Sequence, residues 1–195
     1  RGSFYDGLLN VAANVYYSLW RDQQVIVQGP SGNTFDNDVK NAGKSELIGF
    51  EVSAEAEPTV NLSLFGSVGY AQTEFLRFVS GGVNVAGNRF PNAPEWTTAV
   101  GGEYRWNNGI SLGVDVSYTD SSFSLVQNTP ASLSDDRWLL NTQLTYEGRQ
   151  GWLLGLYARN LLGETYAVQR SPGIPLASVR GGEPRTLGVF VTKSF

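Results

Sequence analysis

Apolar and polar residues alternate with a period of two along most of the chain. From Leu9 the odd positions read Leu9, Val11, Ala13, Val15, Tyr17 and Leu19, against Asn10, Ala12, Asn14, Tyr16 and Ser18. Side chains on a strand point alternately to its two faces, so this run predicts a strand with one apolar face. The same pattern returns with Ile48, Phe50, Val52, Ala54 and Ala56, and with Leu62, Leu64, Val68 and Tyr70, where Phe65 breaks the alternation. It returns again with Trp96, Thr98, Val100, Tyr104 and Trp106, and with Ile110, Leu112, Val114, Val116 and Tyr118. The last three runs hold Trp138, Leu140, Leu144 and Tyr146; Trp152, Leu154, Leu156 and Ala158; and Leu187, Val189, Val191 and Phe195. About eight strands and no helix are expected.

The connections alternate in length. Residues 57–60, 107–109 and 147–151 are short and rich in turn formers, and Asn108-Gly109 is a strong hairpin signal. Between them lie long polar stretches near 29–41, 72–95, 120–136 and 163–184. Connections this long are uncommon in a soluble sandwich, whose strands also alternate. Short turns at one end and long loops at the other are the pattern of an outer-membrane barrel.

Aromatic placement separates the two possibilities further. On the apolar faces Tyr104, Trp106, Tyr146 and Trp152 gather near the short turns. Tyr17, Trp20, Tyr70, Trp96, Tyr118 and Trp138 gather toward the long loops. Two aromatic belts around an aliphatic band fit the two interfaces of a bilayer. The opposite face carries Glu51, Glu55, Glu103, Asp115 and Arg159. The expected class is therefore all-β, an antiparallel transmembrane β-barrel segment, with Val114 and Leu140 toward lipid and Asp115 and Asn141 toward the lumen.

Composition changes this picture little. Mean hydropathy is −0.19, ordinary for a soluble protein but equally ordinary for a barrel that alternates. The chain has no Cys, His or Met. A Cys/His zinc site, a thiol nucleophile and a Ser-His-Asp triad are thereby excluded. No carboxylate pair is placed for hydrolysis, no cofactor motif is present, and no basic cluster suggests nucleic acid. Asp36–Asp38 and Asp135-Asp136 lack the spacing of a calcium loop and read as solvated acids. Asn61-Leu62-Ser63 falls inside a strand and reads as a chance glycosylation match. The chain opens on Arg1 without a methionine, so it is expected to be a processed form or a piece of a longer protein. "RGSF" before "YDG" reads as the tail of a preceding strand entering a turn.

Several stretches carry a family resemblance. "RNLLGETY" at 159–166, followed by "GEPRTLGVFVTKSF", resembles the end of a TonB-dependent outer-membrane receptor of the siderophore-receptor type. Asn160, Leu161, Tyr166, Pro184, Arg185, Gly188 and Phe195 match that pattern. Leu162 and Gly163 depart from it, as does Lys193 at an outward position where an apolar residue is usual. "NAGKSELIGFEVSAE", "GNRFPNAPEWT" and "FYDGLLNVAANVYYSLWRDQQ" resemble further stretches of the family in the same order. The resemblance implies a 22-stranded barrel with a plugged lumen, of which residues 1–195 would be one C-terminal portion, the last third, without plug or earlier strands.

It also implies a function. The expected protein is a transporter, not an enzyme, that takes up a ferric siderophore or a similar scarce nutrient across the Gram-negative cell outer membrane. Partners implied are outer-membrane lipid and lipopolysaccharide, the barrel-assembly machinery, and the TonB complex through an N-terminal region outside this chain. Aromatic and guanidinium side chains in the long loops suit anionic, aryl-bearing ferric siderophores. Arg77, Phe78, Arg89, Phe90, Arg137, Tyr166 and Arg170 are the candidate contacts; the alternative is that they are interface aromatics and arginines that pair with lipopolysaccharide phosphate. Leu187, Val189, Val191 and the terminal Phe195 resemble the C-terminal signal read by the assembly machinery; the other reading of Phe195 is an aromatic of the interface belt, and the two are compatible. A complete eight-stranded outer-membrane barrel with a structural, adhesive or passive-pore role is the alternative. An outer-membrane barrel enzyme is a third possibility, disfavoured because His, the commonest general base, is missing.

Overall fold

Backbone pairing turns the alternating runs into one sheet. The computed structural model describes residues 2–31, 33, 36–173 and 177–194. Among them the strands are β1 (Gly2–Phe4), β2 (Leu9–Gln28), β3 (Asn37–Thr59), β4 (Leu62–Arg77), β5 (Val79–Ser80), β6 (Val83–Asn84) and β7 (Trp96–Arg105). They continue with β8 (Ile110–Thr119), β9 (Arg137–Glu147), β10 (Trp152–Arg159), β11 (Ala167–Ser171), β12 (Ser178–Gly181) and β13 (Thr186–Lys193). Nine of these form one antiparallel sheet in the order β1-β2-β3-β4-β7-β8-β9-β10-β13. β5–β6 and β11–β12 are separate small hairpins. The eight long strands are those expected from the alternation, and β1 is the strand tail expected from "RGSF". The sheet is open: among the described residues β1 pairs only with β2, and β13 only with β10.

Register fixes the faces, because directly opposed residues lie on the same side of a sheet. Val52 opposes Ala13 and Val68, Val116 opposes Val100 and Leu140, and Leu156 opposes Leu144 and Val189. These pairs place all the aliphatic runs on one face. The other face carries Glu51 opposite Asn14 and Gly69, Asp115 opposite Asn141, and Tyr157 opposite Gln143 and Gly188.

The aliphatic band is bounded as expected. On one rim Tyr70 packs between Phe50 and Trp96 at 5.8 and 4.7 Å, and Tyr118 packs on Trp138 at 4.8 Å. On the other rim Tyr104 meets Trp106 edge-on at 4.8 Å. β7 is 10 residues long; at about 3.3 Å per residue and a tilt of about 40° it rises about 25 Å, the height of an outer-membrane apolar band. Lys193 stands outward opposite Trp152, with its Nζ 4.8 Å from that ring's centre. The ring and the nearby interface let this cation sit at an otherwise apolar position.

The inner face packs by pairing aromatics with glycines across strands. Tyr16 opposes Gly49, Phe65 opposes Gly101, Phe190 opposes Gly155 and Tyr157 opposes Gly188. In each pair the ring lies where a Cβ on the glycine would stand. Phe65, which breaks the alternation in the sequence, is explained by this: it covers Gly101 from the inside.

Some boundaries differ from expectation. Strands β2 and β3 run on to Gln28 and back from Asn37, so the polar stretch 29–41 shrinks to a tip at 29–36. β4 likewise runs to Arg77. Above the apolar band Val25, Val27 and Ala42 are buried in a loop core while Ile26 and Val39 on the opposite face are exposed, so apolar residues stand on both faces and the period-two signal disappears while the ladder continues. Trp20 is not in a belt. It opposes Ser45 on the inner face and lies 6.0 Å from Phe90.

Candidate ligand-binding loops and lumen

The long loops are folded against one another. Phe75, at the top of β4, packs on Phe78 at 5.1 Å and Phe90 at 4.8 Å, in a small core with Val25, Val27, Ala42, Val85 and Val126. Loop 85–95 is then tied to loop 120–136. Asn88 Nδ2 donates to the Val126 carbonyl at 2.8 Å, and Asn92 N donates to the Phe123 carbonyl at 2.7 Å. Asn128 adopts φ 50°, its Oδ1 accepting from Arg89 N at 2.7 Å and its Nδ2 donating to Arg89 O at 3.1 Å.

A second clasp joins loop 120–136 to the β11–β12 hairpin. Arg170 Nη2 donates to both Asp135 oxygens, at 3.0 and 2.9 Å, and Ala167 N donates to Asp135 Oδ2 at 2.9 Å. Arg170 N donates to Ser124 Oγ at 3.0 Å, and Ser134 Oγ to the Val168 carbonyl at 3.1 Å. The Ala167 amide first, then the Arg170 guanidinium, holds the Asp135 carboxyl below the usual carboxylate range, against an opposing effect of burial.

Beneath the loops the inner face encloses a concavity of about 1030 Å³. Glu55, Glu57, Glu103, Asp115 and Glu183 line it, and Arg159 is the one cation among its described lining residues. Asn160 closes its loop-side end. This residue is 3% exposed and has φ 47°, and its carbonyl accepts from Gly163 N at 2.9 Å. Its side-chain Nδ2 donates to the carbonyls of Glu164 at 2.8 Å and Glu183 at 3.0 Å, and its Oδ1 accepts from Glu164 N at 2.8 Å. Its backbone N donates to Asn141 Oδ1 at 3.0 Å. The Asn160 turn thus fastens β9, β10 and the approach to β13.

The seven candidate loop residues fall into three places. Phe78 and Phe90 belong to the small loop core, Phe78 at 3% exposure. Arg89, Arg137, Tyr166 and Arg170 sit where the loops meet. Arg89 pairs with Glu95 at 3.2 Å and lies over Phe123 at 5.1 Å. Arg137 lies over Tyr166 at 5.0 Å, and Tyr166, 8% exposed, lines the concavity. Arg77 stands apart, opposite Lys44 at the top of β3–β4. Leu187, Val189 and Val191 face outward opposite Ala158, Leu156 and Leu154, and Phe195 lies outside the described residues. Asn88, Asn128, Asp135 and Asn160, which organise the loops, were not singled out from sequence as site residues. Asp36 and Asp135, expected to be free in water, are engaged. Asp36 accepts from Ser31 Oγ at 2.6 Å.

An open sheet with an outward apolar band and an acidic inner concavity under tied loops is a barrel wall. The profile of the family described as TonB dependent receptor-like, beta-barrel, matches residues 1–161. The chain belongs to this family. Its fold extends the likeness past residue 161. It is similar to the siderophore receptor PiuA from Acinetobacter baumannii, with TM-score 0.76, 20% identity, and coverage of 97% of this chain and 26% of that one. It is similar to the ferric yersiniabactin uptake receptor FyuA from Yersinia pestis, with TM-score 0.76, 18% identity, and coverage of 96% and 28%. The copper transporter OprC gives TM-score 0.73 and 17% identity, with coverage of 96% and 29%. This segment of a TonB-dependent receptor barrel thus spans about a quarter of the length of the solved receptors it matches.

Proposed function

We propose that residues 1–195 are a C-terminal portion, the last third, of the 22-stranded barrel of an outer-membrane receptor for a ferric siderophore or a similar scarce chelated nutrient. The plug and the TonB-contacting segment would lie in the remainder of the protein. The observation that carries this reading is the sorting of faces: a lipid-type band outside, and inside a polar concavity capped by interlocked loops that bear aromatics and guanidinium groups. Solved receptors of iron chelates share the fold. The open edges at β1 and β13 favour a larger barrel over an eight-stranded closure, since unpaired strand edges are intolerable in lipid.

In this reading the long loops face outside and the short turns face the periplasm. Anionic chelate meets Arg137, Tyr166 and Arg170 where the loops join above the concavity. Arg89 and the Phe78–Phe90 core hold those loops in shape, and the TonB complex acts on the plug below. Leu187, Val189 and Val191 present an apolar strand face to the barrel-assembly machinery, and Phe195 is part of the sequence signal that it reads. The test is uptake of radiolabelled iron by iron-starved cells carrying the full-length receptor, across a panel of ferric siderophores and a copper chelate. Uptake of one ferric siderophore, abolished by de-energising the cells, is expected. Energy-independent leakage of all solutes alike would favour a passive pore.

A further inference from the structure

One side chain grips both legs of the hairpin that carries Tyr166 and Arg170. On the rising leg Asn160 Oδ1 accepts from Glu164 N at 2.8 Å, and Nδ2 donates to Glu164 O at 2.8 Å. On the returning leg the same Nδ2 donates to Glu183 O at 3.0 Å. One rung higher Gly182 N donates to the Tyr166 carbonyl at 2.9 Å, and the Tyr166 ring covers Gly182. Above that β11 pairs with β12, and Arg170 reaches Asp135. The place of Tyr166 is therefore set from below by Asn160.

Asn160 is in turn held from the lumen wall. Its backbone N donates to Asn141 Oδ1 at 3.0 Å, and Asn141 Nδ2 donates to Asp115 Oδ2 at 2.7 Å. We propose that Asp115 is a positioning residue for ligand capture, acting through Asn141 and Asn160 on segment 163–184. The proposal rests on the reading of these loops as the ligand-binding mouth.

Polarity makes this chain of bonds specific. An ionised carboxylate only accepts, and a backbone N–H only donates. The Asn141 amide stands between one of each, and a single orientation satisfies both: NH2 toward Asp115, oxygen toward Asn160. Turned over, it would set oxygen against carboxylate and NH2 against N–H. The Asp115 carboxylate selects the orientation that leaves an acceptor for the Asn160 turn. On its other side Asp115 faces Gly101, which brings no side-chain donor, so Asn141 is the cross-strand donor for this carboxylate. Asn141 is half-buried and Asn160 is buried, so water replaces these bonds poorly. The three residues lie on β8, on β9 and in the turn after β10. A group in the lumen wall thereby fixes the base of a hairpin at the mouth.

The test is hydrogen exchange of the full-length receptor in detergent, read peptide by peptide. Asp115→Ala removes the acceptor, and Asn141→Asp sets two carboxylates together. Each should speed exchange in segment 163–184 about tenfold, the effect of losing one hydrogen bond to a charged group, and leave β7 peptides unchanged. Adding Asp115→Asn to Asn141→Asp restores the order of donors: an amide at 115 donates to a carboxylate at 141, which still accepts from Asn160 N. This double variant should exchange within about twofold of wild type, since coupled neighbours are not additive. Gln143→Glu adds a carboxylate to the same face of β9 outside the chain of bonds and should behave as wild type. Uptake of a ferric tris-catecholate by cells carrying the variants reads the consequence. Half-saturation should rise about tenfold in both single variants and recover in the double one, with the maximal rate unchanged, as loss of binding alone requires. Unchanged exchange in Asp115→Ala would overturn the proposal. So would a double variant no better than Asn141→Asp alone, or faster exchange spread equally over β7. If wild type takes up no ferric siderophore, the uptake reading is what fails, and the exchange pattern still decides whether Asp115 positions the segment.

Discussion

Asn141 Nδ2 donates to Asp115 Oδ2 at 2.7 Å across β8 and β9, while the residues flanking them, Val114, Val116 and Leu140, point the other way. Val114 opposes Thr142, and Thr142 satisfies its hydroxyl on the Gly113 carbonyl at 3.0 Å, so this hydroxyl is not left open toward lipid. The two faces of this strand pair therefore meet different solvents. Val114→Arg should destabilise the folded receptor by about 2–4 kcal/mol, the range for a cation at the midplane of a lipid face. Asp115→Arg, in the wet lumen, should cost less even though it loses Asn141. Folding titrations of both full-length variants into lipid vesicles measure the difference, and equal tolerance would contradict the register.

Gly155 and Phe190 should behave as a unit. The ring of Phe190 occupies the space a side chain at 155 would need. Gly155→Ala should destabilise by about 1–3 kcal/mol through overpacking. Adding Phe190→Ala should recover part of that loss, because coupled neighbours are not additive. A double variant whose cost equals the sum of the single costs would show that the ring is free to swing aside.

Asn160 should be worth more than its exposed neighbours suggest. Asn160→Ala removes three side-chain hydrogen bonds and leaves a β-carbon residue at φ 47° without local compensation. A loss of about 1–3 kcal/mol is expected. Asn160→Gly relieves the backbone but not the lost amide, so it should recover only a part. The temperature at which the full-length receptor loses its folded mobility reports both.

The Asp135 clasp should hold across the physiological range. The carboxyl's folded pKa lies below its unfolded value, about 3.9. Its contribution is therefore fully present above that value and fades as pH falls through the folded one. Protease resistance of segment 163–184 should be unchanged from pH 8 to 5 and should fall only below pH 4. In Asp135→Asn, which loses the ionic partner of Arg170, the segment should be more sensitive at every pH. Loosening of the wild type near pH 6 would mean another group controls the loops.

Sequence legibility followed the solvent. β7, β8 and β10 were readable because one face is apolar and the other polar over the whole strand. The upper halves of β2 and β3 were not, because Ile26 and Val39 are exposed apolar residues beside buried Val25, Val27 and Ala42, and the consecutive apolar residues hide the alternation. Trp20 misled because its size suggested a belt, while its parity with Tyr16 and Ser18 already pointed inward. The loop clasps were invisible, since Asn128 and Arg89 meet 39 residues apart and nothing local marks them. Asn160 was legible only through the resemblance of "RNLLGETY" to a receptor's closing strands. What bears on ligand choice, the packing of Arg137 on Tyr166 and of Arg170 on Asp135, appears only when three loops come together.

The central claim is that these strands are a membrane wall with lipid on one side and water on the other. The chain contains no cysteine, so single cysteines can be placed along β7 and β8, from Thr97 to Arg105 and from Ser111 to Tyr118, in the full-length receptor reconstituted in bilayers. Nitroxide labels at each site then report collision with oxygen and with a water-soluble nickel chelate. The account predicts a period of two, with oxygen contact highest at Thr98, Val100, Gly102, Leu112, Val114 and Val116. Chelate contact should be highest at Ala99, Gly101, Glu103, Gly113, Asp115 and Ser117. A profile without alternation, or one in the opposite phase, would contradict it.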